Sequence, residues 1–342
     1  MQRSQLTPLS SWDKRRRRRR KFLERLAKIY VAGAGTIVGA AIVRELEREK
    51  YSNLIGKAGE GPELTDANAV DQFFAQTTPD YVFLAAGKSG GIHANQSYPA
   101  ALMEDNLLGT CHIIRSAYRY GTKKLLYLAS SCCYPKSCLQ PMRVESLMAG
   151  PLEPTSEPFA VAKIAGIKLC QSYHQQYGSN FIVGIPASAF GPGDDFSLEE
   201  SHVIPALIRK MHESKVIRTK FVEIWGTGSP RREFIFADDL ASACLFVMCE
   251  YSGWEPINLG VGSDLSIREL AELIREAVGY LGNLHFDSSK PDGVSAKLLD
   301  SSKLRQMGWM PKTSIRSALE MTYQWFMQKE EEKGTQDVRA YL

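Results

Sequence analysis

The sequence predicts a doubly wound α/β fold, a parallel sheet wrapped by helices with a smaller α/β substrate lobe. Short runs rich in β-branched and apolar residues alternate with helical stretches through the first half of the chain. A glycine turn joins the first strand to the first helix. The composition is that of a globular protein, 44% hydrophobic and 23% charged over 342 residues, which leaves room for two domains or one large domain with an appended lobe.

Residues 28–33 (KIYVAG) read as the first strand, and residues 37–48 (IVGAAIVRELER) carry helical spacing after the glycines. A short second strand is expected at 53–56, with further strands at 81–86, 124–129 and 181–186. Helices are expected around 67–74, 99–120 and 159–177. Strands alternating with helices in this way pair in parallel. After residue 186 the pattern loosens into loops rich in Gly, Pro and Asp, then resumes with helical stretches at 267–280 and 315–328. The expected organisation is a disordered basic segment over 1–27, a dinucleotide-binding domain mainly over 28–186, and a substrate lobe mainly over 187–342, with some segments returning to the large domain. Ligands of such folds bind at the carboxyl edge of the sheet, beneath the lobe.

The formal charge of +4 rests on an unbroken block of eight cations at 14–21, without which the remainder is −4. The folded part is therefore expected to bind no nucleic acid. The block reads as a solvated, self-repelling tail, with a nuclear-localisation tract and an organelle transit segment as alternatives. No apolar run approaches the roughly 18 residues of a membrane span, and the N-terminus has no signal-type apolar core. A cytoplasmic protein is the expectation. Seven cysteines, an odd number, agree with reduced thiols. Cys132, Cys133 and Cys138 lack the spacing and the histidines of a zinc site, so no metal is expected.

Gly33, Gly35 and Gly39 follow the first strand and open the first helix. Glycines there permit a tight turn, and the helix N-terminus offers free N–H groups to a pyrophosphate. An acidic residue closing the second strand would favour NAD, whereas Lys57 after that strand tips the reading toward NADP(H).

At the end of the fourth strand lies SSCCYPK (130–136), and Lys163 follows on a predicted helix. With GGIHAN (90–95), QPM (140–142), AKIAGIK (162–168), SHVIPAL (201–207), WGTG (225–228), PRREF (230–234) and KPDG (290–293), these segments resemble the GDP-L-fucose synthases. Those enzymes belong to the extended short-chain dehydrogenases, which have a Rossmann domain. The resemblance runs from Lys28 onward and leans toward the plant members. It implies NADP-dependent conversion of GDP-4-keto-6-deoxy-D-mannose to GDP-L-fucose, by 3,5-epimerisation and then 4-reduction, in a homodimer. The epimerising pair would be Cys132 and His202. Ser130 would hold the sugar O4, and Lys163 would be the catalytic lysine. Cofactor contacts would come from Gly33, Ala34, Gly35, Thr36, Ile37, Val38 and Gly39, from Lys57, and from Leu128, Ala129, Ser130 and Ser131. Lys163, Pro186, Ala187, Ser188, Ala189 and His202 would complete that set. Lys210, Trp225, Arg232 and Asp292 would hold the GDP-sugar.

Three departures fall in the cofactor and reductive region. The first turn lacks the family's arginine, Ser188 stands where the family has an amide, and Phe159 stands four residues before Lys163 where the family has a tyrosine. At that i, i+4 spacing a phenol and an ammonium share one helix face. Losing the phenol leaves a second reading open, an impaired paralogue that only epimerises or only binds nucleotide sugar or NADP.

Overall fold

The computed structural model describes residues 23–57, 60–198, 201–290 and 292–340. The eight-cation block lies outside them.

The chain runs β1 (Ile29–Ala32), α1 (Ile37–Arg48), β2 (Leu54–Ile55), α2 (Ala67–Thr77), β3 (Tyr81–Leu84), α3 (Ile92–Ser97), α4 (Pro99–Arg119), β4 (Lys124–Leu128), α5 (Glu157–Tyr177), β5 (Phe181–Pro186) and β6 (Ser188–Phe190). It continues with α6 (Val203–Val216), β7 (Phe221–Trp225), β8 (Arg231–Arg232), β9 (Phe234–Phe236), α7 (Ala237–Glu250), β10 (Ile257–Leu259) and β11 (Leu265–Ser266). It ends with α8 (Ile267–Val278), β12 (Asn283–Asp287), β13 (Ala296–Lys297), α9 (Ser302–Met307) and α10 (Ile315–Ala340).

Six strands form the main sheet in the order β10-β5-β4-β3-β1-β2, every pair parallel. β1 and β4 are buried along their whole length, as strands covered by helices on both faces must be. The register aligns Ala32 with Leu84, Leu84 with Tyr127, and Leu128 with Gly184. Because the strands are parallel, the residues just after β1, β4 and β5 emerge along one edge.

The expected second strand at 53–56 shrinks to Leu54–Ile55. The packed chain begins before residue 28, the boundary expected for the basic segment. Leu23 and Ala27 are buried, and Glu24 pairs with Lys123 at 2.8 Å. The lobe is built from the β7–β12 pair, from β8 between β11 and β13, and from α6, α8 and α10 around a second apolar core. β10 and α7 lie in the large core, although both come after residue 186. The sequence pattern missed α6 and α7. α7 (ADDLASACLFVMCE) is apolar almost all round and buried, so it shows no stripe against a polar face.

Candidate active site

The first turn is held from within. Thr36 caps α1, its hydroxyl accepting Gly39 N–H at 3.0 Å while donating to Gly33 O at 2.8 Å and to Ala85 O at 3.3 Å. Gly33 has φ +88°, and a Cβ there would lie 2.6 Å from Ala86 Cα. A Cβ on Gly39 would meet Gly33 O at 1.9 Å, whereas one on Gly35 meets nothing within 4 Å. Two glycines are thus required by packing and the third faces open space, leaving the N-terminus of α1 free to receive an anion. Ala34 is buried, while Ile37 and Val38 pack against the core. Lys57 is tied back to Glu47 at 2.7 Å.

β4 ends on buried Leu128 and is followed by buried Ala129 and then Ser130, whose Oγ accepts Cys132 N–H at 3.2 Å and caps the single turn Ser131–Cys133. This cap turns the Cys132 thiol outward, half-buried, while Cys133 is fully buried, its thiol pushed up to about 12 by burial. Lys297 of β13 brings its Nζ to 3.9 Å from Cys132 Sγ. Arg232 stands close enough to Cys132 and Asp292 for both to act on its charge, and burial lowers its proton affinity.

α5 carries Lys163, which is 5% exposed and whose ammonium burial brings down to about 8. Its Nζ donates to Ala86 O at 3.4 Å and sits 5.6 Å from the ring centroids of both Phe159 and Tyr127. Phe159 is buried, so the ring one turn before the lysine packs where a phenol was expected. On the β5 side, Ala187 N–H donates to Leu259 O and Ser188 N–H to Glu233 O, which leaves the Ser188 side chain exposed. Pro186 and Ala189 are half-buried beside it.

His202 is the N-cap residue of α6, without a side-chain cap bond. Solvent touches its ring, yet enough protein surrounds it that desolvation outweighs the charge of Asp195 and lowers the imidazole's proton affinity. Lys210, two turns along α6, stands 5.8 Å from the Trp225 ring centroid, with Lys290 at 5.4 Å. Trp225 is 61% exposed, a flat platform between two cations. Asp292 is drawn into the turn after β7, where its carboxylate accepts Thr227 N–H at 2.7 Å and the Thr227 hydroxyl at 2.8 Å. Of the expected residues, Cys132, Arg232 and Asp292 share one electrostatic neighbourhood. Lys210 and Trp225 form another, while His202 answers chiefly to Asp195. A cavity of about 250 Å³ behind β8, lined by Phe190, Phe234 and Phe236, shares only Arg232 with these residues. Among the described residues no group of His, Cys, Asp and Glu could hold a metal.

Sequence reasoning missed Lys297, Asn106 and Glu233. Lys297 is 165 residues from Cys132, and only the fold joins them. Asn106 is 2% exposed, donates to Lys88 O and Leu102 O, and leaves Oδ1 without a partner. That oxygen and Lys163 Nζ lie 2.3 and 2.9 Å from the point a Gly87 Cβ would occupy, so both flank the space this glycine leaves. Glu233 is buried and accepts Gly262 N–H at 2.7 Å and Leu299 N–H at 2.8 Å, tying the lobe to the loop after β10. A lone acid in PRREF gives no sign of this.

Residues 29–260 match the NAD dependent epimerase/dehydratase family. GDP-L-fucose synthase 1 of Arabidopsis thaliana is 51% identical over 304 residues, covering 89% of this chain and 94% of that one. GDP-L-fucose synthase of Escherichia coli (strain K12) is 44% identical over 313 residues, covering 89% of this chain and 98% of that one. The crystal structure of a GDP-L-fucose synthetase from Naegleria fowleri bound to NADP superposes with a TM-score of 0.84 at 28% identity, covering 91% of this chain and 97% of that one. The likeness to these proteins runs through about nine-tenths of the sequence, and the chain belongs to the NAD dependent epimerase/dehydratase family, where it groups with the GDP-L-fucose synthases.

Proposed function

We propose that this chain converts GDP-4-keto-6-deoxy-D-mannose to GDP-L-fucose with NADP(H), by epimerisation at C3 and C5 followed by reduction at C4. The observation that carries the reading is the likeness over nine-tenths of the chain to relatives named for that product, together with a cysteine turn that faces a cation at the sheet's carboxyl edge.

The turn fits a dinucleotide. The space over Gly35 and the free N–H groups of α1 suit a pyrophosphate, and Ala129, Lys163 and Ser188 line the same edge for the rest of the cofactor. When bound, NADPH supplies a hydride to C4. The protein supplies the proton chemistry and the positioning. Protons α to a carbonyl are acidic because the resulting charge spreads onto the carbonyl oxygen. Cys132, as its thiolate, takes such a proton from one face of the sugar and becomes the neutral thiol, while the electron pair left on carbon spreads onto the C4 carbonyl oxygen; the Lys297 ammonium lies 3.9 Å from the sulfur. His202 returns a proton on the opposite face, and its lowered proton affinity makes its imidazolium a readier donor. Ser130 holds the oxygen at C4. Arg232 and Lys210 face the diphosphate, and the Trp225 platform carries the remainder of the nucleotide sugar. The reading includes a homodimer through α4 and α5, whose outer face carries exposed Tyr118, Val161 and Tyr177, and a cytoplasmic setting suited to the free thiols.

The test is direct. Purified protein is incubated with GDP-4-keto-6-deoxy-D-mannose and NADPH, and GDP-L-fucose is followed by liquid chromatography and mass spectrometry. No product after long incubation removes the proposal.

A further inference from the structure

We propose that the Lys163 ammonium itself delivers the proton to the substrate oxygen when the C4 carbonyl is reduced, no hydroxyl being present one helical turn earlier. The inference rests on the reduction assigned above.

The residue one turn before Lys163 is Phe159, whose buried ring has no proton to give and stands 5.6 Å from Nζ. The other groups nearby are committed. The Tyr127 hydroxyl donates to Lys163 O at 3.3 Å, and burial raises its pKa well above the ordinary phenol value. The Cys133 thiol is directed at Ala160 O and held protonated by burial. Ser130 can hold an oxygen, but a serine hydroxyl has no accessible ionisation near neutrality. Lys163 differs from all of these. Among the described residues its one acceptor is Ala86 O, at the weak limit of 3.4 Å, which leaves N–H bonds for a ligand. Gly87 lets Nζ lie close against the backbone, since a Cβ there would fall 2.9 Å from Nζ and 2.3 Å from the unpartnered Asn106 Oδ1. Among the described residues the titratable groups facing it are Cys133 from the cysteine turn and Tyr127 from β4, both protonated at neutral pH, and none of them is a carboxylate. Burial brings its proton into the range where a group both gives and regains one.

The step balances. C4 accepts the hydride, and the electron pair of the C=O π bond moves to oxygen. One N–H bond of the ammonium breaks as an O–H bond forms, leaving a neutral amine that takes its proton back from water. The nicotinamide is oxidised and the carbonyl carbon reduced.

The experiment is single-turnover reduction of GDP-4-keto-6-deoxy-D-mannose between pH 6 and 10, with NADPH and with [4-²H]NADPH to mark the hydride step. The native chain is compared with Lys163→Arg and Phe159→Tyr, and NADPH binding is measured for each by fluorescence. The native hydride step should be level at low pH and lose tenfold per unit above the alkaline limb, since the donor must be protonated. Lys163→Arg should be slower by about 10² or more and lack that limb, because a guanidinium keeps its proton throughout the range. Phe159→Tyr should be faster, with the limb displaced as the phenol takes over the transfer. A native profile flat to pH 10, or a limb that survives in Lys163→Arg, overturns the proposal. If Lys163→Arg fails to bind NADPH, the native profile alone decides. Deuterium uptake from solvent at C3 and C5 in the same reactions separates the two readings. A native chain that exchanges deuterium but never oxidises NADPH removes Lys163 as donor and leaves epimerisation standing, whereas a chain that does neither removes both.

Discussion

Replacing Gly39 with alanine places a methyl carbon 1.9 Å from Gly33 O and 2.6 Å from Gly33 C, both backbone atoms. Ordinary carbon–oxygen contact needs more than 3 Å, so turn and helix must separate by an ångström or more. Gly33 has little room to retreat, because on its other side the Ala86 backbone is so near that even a Cβ on Gly33 would fall 2.6 Å from Ala86 Cα. Alanine in place of glycine inside a helix ordinarily stabilises by about 1 kcal/mol. Overpacking against backbone costs about 1–3 kcal/mol, and this contact belongs at the upper end, so the net effect is destabilising. At about 2 °C per kcal/mol for a chain of this size, Tm should drop by about 2–5 °C. The displaced N–H groups should weaken NADPH about tenfold or more, about 1.4 kcal/mol. Gly35→Ala is the control, since its added carbon touches no protein atom. Its Tm should stay within about 1 °C, and any loss of NADPH affinity there reports contact with the ligand itself. Thermal melts and fluorescence titration read both variants. A Gly39→Ala protein with native Tm and native affinity refutes the packing argument.

Lys297→Met removes the cation 3.9 Å from Cys132 Sγ. Unit charges at that distance interact by about 1 kcal/mol in water and about 4 kcal/mol near a protein surface. Solvent deuterium uptake at C3 and C5 should therefore slow by about 5- to 1000-fold while NADPH binding is kept. Trp225→Ala should raise KM for the GDP-sugar about tenfold with Tm unchanged, because the ring is 61% exposed and its loss leaves no core void. Burial pushes the Asp194 carboxyl up to about 7. Between pH 4 and 7 the folded chain then holds a proton that the unfolded chain has released, so this residue makes stability fall as pH rises across that window, by at most about 4 kcal/mol. Urea unfolding at pH 5, 6 and 7 should show a shallower decline in Asp194→Asn than in the native chain.

The large domain was legible because its local signals agree with its packing. The apolar runs at β1, β3, β4 and β5, the glycines of the first turn and the periodic α1 all point the same way. β2 and β10 were harder, since two or three residues carry almost no pattern. The lobe was nearly silent, because β8, β11 and β13 contribute two residues each and are held by neighbours far away in sequence. The cysteine turn could be read from SSCCYPK, but its electrostatics could not. Lys297, Glu233 and Asn106 act through the fold, and nothing beside them in the chain announces it. Asp292 was expected to face substrate, and the structure adds that its carboxylate also accepts from Thr227, a turn-closing contact that residue type alone does not reveal.

The cysteine turn is stitched to the far end of the polypeptide. The Tyr134 hydroxyl donates to Asn258 Oδ1 at 2.6 Å, and Asn258 Nδ2 donates in turn to Met142 O at 2.9 Å and Asp300 O at 3.2 Å. Met142 N–H reaches Leu298 O at 2.7 Å, one residue beyond the lysine that faces the thiol. A nascent chain emerging from the ribosome therefore has every strand from β1 to β5 long before the cysteine turn acquires these partners. Termination between residues 260 and 296 would release a polypeptide that holds the glycine turn and all six strands of the main sheet but lacks Lys297, Leu298 and Asp300 beside the cysteine turn.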